Sequence, residues 1–464
     1  MTTARFALLI LSLVAIATIF ILASRKPVNG IALLLISLPI LGLSRKAFDD
    51  NSLPFPSLET VAVIVLWLGV TFGRKEYKYT TIFMQRRIIL LIIFFCASIL
   101  STVNSVNLDI SVRIMLAGIL SPCICYYLAA KYTRTFNDRC LIVLAIIIMG
   151  FIAFLYSAIN MNNLQGFVGG ALDIDTYKWF YNEAPVVNFF VVPSTAVAAT
   201  VPIFPLGLWY WKHGLRYRVP ISVAAFLSGI FICTLSLSRG SWLTMVFVIV
   251  CSFFTLYGVR RASLYAFATI GVASLIYQYV DPFIVPLLQS RLPGSFTILD
   301  MNIETRADNY LLAIRSGYLH PLFGVGLGSY TAIYNELNNT AFTPLWFAHS
   351  LFLTLIPEIG VLGTVAVVLF FGTHIVSAFK WRNLPKPDVD LGRAVGIAIV
   401  AIILVASTSG CHLISYLLPR TESTYFIGPV MIVAFSLMGI IAGRNNYFEI
   451  TPHIFSQRAD SHDE

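Results

Sequence analysis

Long apolar runs recur from one end of the chain to the other, and they restrict the possible folds more than any other feature. A helix needs about 20 mostly apolar residues to cross the hydrocarbon core of a bilayer, and thirteen candidate runs approach that length. They lie near 6–23, 28–43, 58–73, 88–103, 110–130, 140–159, 186–211, 219–237, 241–257, 264–280, 351–379, 394–410 and 424–442.

The composition agrees with a membrane protein. Of the 464 residues, 58% are hydrophobic and 11% are charged, whereas soluble globular proteins have about 25% charged residues. This balance excludes an ordinary soluble enzyme, a disordered chain, a collagen-like chain and a disulfide scaffold. We therefore predict an all-α, polytopic membrane helical bundle that forms one integral membrane domain over residues 1–464.

The number of crossings depends on two short runs near the amino terminus. If 28–43 or 58–73 is re-entrant, about 12 helices cross the membrane and both termini lie on one side. If neither is, thirteen runs place the termini on opposite sides. We favour 12. The first run has no small-residue cleavage site and is expected to be a retained helix, not a removed signal peptide.

Lysine and arginine are unevenly divided between alternate loops, which predicts the orientation. Of the 31 basic residues, 21 fall in one set of loops, and that set is expected to be cytoplasmic. The net charge of +9 therefore reflects topology and not nucleic-acid binding. Two long polar segments are predicted to face outward, an outer loop at 160–185 and a large helical loop at 281–350, between the tenth and eleventh runs.

Soluble-enzyme motifs and metal-site spacings are absent from the sequence. The seven cysteines lie mostly inside apolar runs and are expected to be packing residues. Apart from Arg113 and Glu358, the runs are almost free of charge. Because proton-coupled carriers usually need ionisable residues within the membrane, this pattern argues against a carrier.

The first unusual outward feature is the junction at 235–242, where two apolar runs meet with almost no loop. Arg239 is expected at the membrane surface, beside the flexible Gly240. A guanidinium there can bind an anionic headgroup through two parallel hydrogen bonds. The alternative is an arginine that only extends to the surface from a helix end.

The second feature begins at 304–315. Helical periodicity of Leu311, Leu312 and Ile314, with Arg306 near the first turn, predicts an amphipathic outer helix. After it, glycines alternate with larger residues at 324–328, which favours a tight turn and a close approach of backbones. A structural turn is preferred here over a phosphate-binding loop, since no strand precedes the glycines.

The third feature is His349, where the outer segment enters an apolar run. A neutral imidazole at that place can accept a proton from a substrate hydroxyl. The alternative is an interfacial histidine that binds a backbone carbonyl. Further along, Pro357 is expected to break or kink the helix.

Two arginines and a histidine on one outward surface, without a nucleotide site, suit a lipid-diphosphate substrate. At these positions the sequence resembles the O-antigen ligase/O-antigen polymerase superfamily of bacterial envelope membrane proteins. The resemblance rests on Ser238-Arg239-Gly240 with Trp242, on Arg306 followed by Pro321-Leu322-Phe323-Gly324-Val325-Gly326-Leu327-Gly328, and on His349-Ser350 leading to Glu358-Ile359-Gly360. Relatives often have asparagine after the histidine, where this chain has Ser350.

The resemblance implies a membrane glycosyltransferase of the bacterial inner membrane, with its active site on the periplasmic face and partly in the loop 281–350. Its donor would be a glycan on undecaprenyl diphosphate, and the acceptor hydroxyl would be on lipid A-core for a ligase or on a lipid-linked glycan for a polymerase. Arg239 and Arg306 would bind the diphosphate and His349 would act on the acceptor hydroxyl or the leaving group. The expected reaction is inverting and uses no metal or cofactor.

Two further outward arginines, Arg315 and Arg420, are secondary candidates for diphosphate binding, although Arg420 suits a membrane-surface anchor better. A rival function of another class is a flippase or transporter of lipid-linked oligosaccharide. The charge-poor helices count against it. A structural partner of an envelope assembly machine is a third alternative.

Overall fold

A computed structural model describes most of the chain, and every regular element in the described residues is a helix. The described residues are 3–48, 57–73, 82–106, 108–159, 193–213, 217–235, 239–261, 263, 310–330, 350–380, 384–408 and 428–448. The all-α prediction is therefore confirmed for these residues.

The helices are numbered here in chain order. They are α1 (Thr3–Arg25), α2 (Pro27–Phe48), α3 (Leu58–Phe72), α4 (Ile82–Val103), α5 (Leu108–Ile114), α6 (Ser121–Tyr132), α7 (Phe136–Ile159), α8 (Pro193–Thr200), α9 (Ile203–Lys212), α10 (Arg218–Leu235), α11 (Arg239–Tyr257), α12 (310–319), α13 (Leu351–Lys380), α14 (Lys386–Thr408) and α15 (Gly428–Phe448). A π-helical turn, Met115–Leu120, joins α5 to α6.

Each predicted apolar run coincides with helix wherever the structure describes it, whereas 264–280 lies outside the described residues. The run 186–211 is divided into α8 and α9 by a turn at Val201 and Pro202. Within the described residues, five helices are long and apolar enough to cross a membrane, and six shorter apolar helices accompany them. The number of crossings remains a prediction, as does the outer loop 160–185, which is not described.

Small residues allow close helix packing in the bundle. In α15, Gly439 and Gly443 lie one turn apart and face Ala129 and Ala130 of α6. Within a membrane, helix association depends on close van der Waals packing, and glycine brings the two backbones together. The pair α6 and α15 therefore forms a rigid centre, where Phe435 and Tyr126 also have their rings in edge contact.

Ion pairs connect the helix ends that carry most of the lysine and arginine. Arg139 of α7 contacts Asp388 of α14 at 2.7 Å, and both side chains are buried. Further pairs join Lys26 to Asp138 at 3.0 Å and Lys212 to Asp390 at 2.6 Å. The basic members of these pairs belong to loops that the alternation of apolar runs assigns to one side of the membrane. The structure brings these loops together at one end of the bundle, called here the basic end.

The described helices contain a buried charge in addition to Arg113 and Glu358. Arg113 pairs with Asp109, one turn away in α5, at 3.0 Å. Arg87, however, is also buried and donates a hydrogen bond to Ser377. Near it, the fully buried His374 contacts the Tyr126 hydroxyl at 3.2 Å. Periodicity alone did not indicate this cluster, because its members come from three helices distant in sequence.

We expect Gly439→Ala to destabilise the protein and Gly372→Ala to leave it unchanged or more stable. A Cβ atom on Gly439 would lie 2.5 Å from Cβ of Ala129, whereas one on Gly372 meets nothing within 4 Å. Both substitutions gain about 1 kcal/mol of helix propensity, but only the first also incurs an overpacking penalty of about 1–3 kcal/mol.

Thermal unfolding in detergent measures the difference. A lower melting temperature for Gly439→Ala alone supports the close packing of α6 and α15. Equal melting temperatures of the two variants would contradict it.

Candidate functional site

Helix α13 begins at Leu351 and is interrupted between two and three turns later, at Gly360. Gly360 has φ 72° and ψ 177°, far from helical values, and it follows Pro357, which has no backbone N–H to donate. The prediction that the helix is broken or kinked near Pro357 is confirmed. The break makes backbone groups of α13 available to a neighbouring segment.

That segment is the glycine block, defined here as residues 320–330. The Val325 N–H donates to the Pro357 carbonyl at 2.8 Å, and the Gly326 N–H donates to the Glu358 carbonyl at 3.3 Å. In return, the Val361 N–H donates to the carbonyl of Pro321 at 2.8 Å. The second and third sequence motifs are thus joined by reciprocal backbone hydrogen bonds.

This pairing requires glycine on both sides of the contact. Gly324, Gly326 and Gly360 all have positive φ angles, which are strained for other residues. A Cβ atom would lie 2.3 Å from the Glu358 carbonyl oxygen if built on Gly324, and 2.2 Å from the Leu322 carbonyl oxygen if built on Gly360. The predicted tight turn and close backbone approach are confirmed.

Three serines near the ends of α4 and α5 hold the same region from the other side. Ser101 donates a hydrogen bond to the Glu358 carbonyl. The Ser105 hydroxyl lies 2.9 Å from that of Ser329, and Ser111 donates to the Leu327 carbonyl. No sequence motif singles out these serines, although Ser98 and Ser101 lie three residues apart in α4 and therefore on one side of it.

Helix α12 precedes the glycine block and overlaps the amphipathic helix predicted at 304–315, of which 304–309 lies outside the described residues. It is described over 310–319. Leu312 is buried, but Leu311 and Ile314 are exposed, so these three leucine and isoleucine side chains do not share one buried face. Close packing occurs instead at Gly317, where a Cβ atom would lie 2.5 Å from Cγ2 of Ile356.

The Arg239 junction is as short as the sequence predicts. Helix α10 ends at Leu235 and α11 begins at Arg239. The Trp242 indole N–H donates to the Cys233 carbonyl at 3.0 Å, which links the two helix ends across the junction. Arg239 is therefore the first residue of α11. At this end of a helix, backbone N–H groups and the helix dipole favour a bound anion.

The structure describes only part of the predicted site. Arg306, His349 and Arg420 lie outside the described residues. Arg315 is exposed on α12. The backbone carbonyl of Ser350, next to His349 in the chain, accepts hydrogen bonds from the N–H and the hydroxyl of Thr354 in the first turn of α13. The roles of the arginines and of the histidine thus remain predictions.

We expect Gly324→Ala and Gly360→Ala to destabilise the protein more than Gly258→Ala. All three glycines have positive φ, where alanine costs about 1–2 kcal/mol. Only at Gly324 and Gly360 does the added Cβ also overlap a carbonyl, since a Cβ on Gly258 meets nothing within 4 Å.

The measurement is again the melting temperature of the purified variants in detergent. A fall of similar size in all three variants would mean that backbone strain alone matters and that the close pairing does not contribute.

Comparison with known proteins supports the resemblance found in the sequence. Residues 223–368 match the family described as O-antigen ligase, and this stretch includes the Arg239 junction, the glycine block and the broken part of α13. No curated protein and no solved structure matches the chain. With its apolar helices, the chain is a multi-pass membrane protein in which residues 223–368 are similar to the O-antigen ligase family.

Proposed function

We propose that the protein is a glycosyltransferase that moves a glycan from undecaprenyl diphosphate to an acceptor hydroxyl on lipid A-core, in the inner membrane and on its periplasmic face. The observation that carries the proposal is the reciprocal pairing of the glycine block with Pro357 and Glu358. It joins two of the three family motifs inside the matched segment 223–368.

In this proposal Arg239 and Arg306 bind the diphosphate. A guanidinium matches the geometry of phosphate oxygens and forms paired, charge-assisted hydrogen bonds. The first-turn N–H groups of α11 add a favourable field at Arg239. Arg315 and Arg420 are secondary contributors, and the exposure of Arg315 on α12 is compatible with a role at the rim of the site.

His349 would take the proton of the acceptor hydroxyl as its oxygen attacks the anomeric carbon. A new C–O bond forms there, the bond from that carbon to the phosphate oxygen breaks, and undecaprenyl diphosphate leaves with the bonding electrons. Fixed positive groups stabilise the charge that develops on the leaving group. Attack opposite the leaving group inverts the anomeric carbon, and the arginines supply the positive charge that a metal provides in other enzymes.

Arg239→Ala, Arg306→Ala and His349→Ala are each expected to lower glycan transfer by about 10²–10³-fold or more, as loss of a transition-state donor does. Arg218→Ala is the matched control, since Arg218 is an exposed arginine at the other end of α10. The readout is transfer by purified protein, with membrane insertion verified for every variant.

Near-normal transfer by the three variants would refute the proposed site. If the Arg218 control lost activity equally, the effect would come from general loss of positive charge and not from diphosphate binding.

A polymerase that joins lipid-linked repeat units is the alternative within the same chemistry. The glycan profile of a deletion strain distinguishes the two. A ligase predicts polymer that stays on the lipid carrier and is missing from lipid A-core. Single-repeat products on lipid A-core would support the polymerase instead.

The alternative of another class is a flippase for lipid-linked glycan, and the buried Arg87 and His374 are the observation that favours it. Purified protein, lipid-linked glycan and acceptor are incubated in detergent, where no membrane gradient exists. The transferase proposal predicts product under these conditions. No product, together with movement of the lipid-linked glycan across vesicle membranes, would favour a flippase.

A further inference from the structure

A cavity opens at the basic end of the bundle. Its lining residues are distant in sequence from the glycine block. It has a volume of about 460 Å³ and lies between the ends of α9 and α11 and the start of α14. Its lining includes four basic residues, Lys212, Arg261, Lys386 and Arg393, but a single carboxylate, that of Asp390. The cavity is therefore electropositive.

Only some of these four basic side chains form ion pairs or hydrogen bonds with other described residues. Lys212 binds Asp390 at 2.6 Å and also donates to the Leu256 carbonyl. Arg393 approaches the same carboxylate at 3.7 Å. Arg261 and Lys386 are exposed, and neither has a carboxylate partner among the residues described here. Two cations at the mouth thus remain available for an anion.

The start of α14 adds to the positive field. Lys386 is the first residue of this helix, so its side chain lies at the positive end of the helix dipole, whereas the N–H groups of Asp388 and Val389 already donate to the Pro385 carbonyl. Gly258, which ends α11 with φ 78°, has open space where a Cβ would lie. The cavity can therefore admit a phosphate group close to the backbone.

An apolar stripe on α11 leads to this cavity. Five exposed side chains follow one another at helical intervals and end one turn before Tyr257, which lines the cavity. They are Leu243, Val246, Phe247, Val250 and Phe254. Exposed apolar residues of a membrane helix contact acyl chains, so the stripe and the cavity together match a molecule with apolar chains and an anionic end.

We propose that this cavity binds the phosphate headgroup of an anionic phospholipid whose acyl chains lie along the apolar stripe of α11. Basic pockets between membrane helices on the cytoplasmic side are suited to such headgroups. Arg261 and Lys386 bind the phosphate oxygens, Lys212 and Asp390 fix the inner wall, and Tyr257 lies at the level where chain and headgroup meet. The site is separate from the proposed glycan transfer.

The test uses the full-length protein in detergent and measures binding of phosphatidylglycerol and of phosphatidylcholine by native mass spectrometry. Arg261→Gln/Lys386→Gln removes both mouth cations. Arg218→Gln/Lys380→Gln is the matched control, since these exposed cations lie at the basic end but not in the cavity lining. Melting of each variant without lipid shows whether it is folded.

We expect phosphatidylglycerol to bind more tightly than phosphatidylcholine. The mouth variant should lose about tenfold or more of its affinity for phosphatidylglycerol, while the control changes by less than about twofold. Equal losses in the two double variants, or none in the mouth variant, would overturn the proposal.

Competition by inorganic phosphate and by glycerol phosphate for the bound phosphatidylglycerol distinguishes a lipid ligand from a soluble one. If the acyl chains contribute, neither compound displaces phosphatidylglycerol at equal concentration, and Val250→Ser/Phe254→Ser weakens lipid binding. Displacement by inorganic phosphate, with no effect of the stripe variant, would assign the cavity to a soluble phosphate compound and overturn the lipid proposal.

Discussion

The architecture of the candidate site depends on a break in one helix. Once Pro357 and Gly360 interrupt α13, backbone groups there would be left unsatisfied in an apolar environment, where each one costs several kcal/mol. The glycine block accepts and donates the missing hydrogen bonds, and Ser101 supplies another. The broken helix and the loop are thus mutually dependent, since each satisfies groups that the other exposes.

The two ends of the bundle are held by different chemistry. At the basic end, buried ion pairs such as Arg139 with Asp388 tie helix ends together, and removing one partner of such a pair leaves an uncompensated charge. At the end with the glycine block, hydroxyls and backbone carbonyls make the described contacts. The helices between them pack through small residues, for example where Gly439 meets Ala129.

The sequence was sufficient for features with a local cause. Hydropathy gives the helices, Pro357 gives the break, and the spacing of the glycines gives the tight turn. The sequence was insufficient where two contacting residues are distant in the chain. Ser105 contacts Ser329 and Arg87 contacts Ser377, and no periodic pattern in the sequence indicates either contact. The packing face of α12 was also not predicted from the sequence, because it is defined by Gly317 against Ile356 and not by leucine periodicity.

The way in which the glycine block is attached has a consequence for electrostatics. Ser101, Ser105 and Ser111 anchor it through neutral groups, so these three contacts use no cation. A scaffold fixed by salt bridges would compete with an anionic ligand for the same guanidinium groups, and its strength would vary with ionic strength. Hydrogen bonds between neutral groups do not compete in this way, and these contacts are expected to hold equally at low and at high salt.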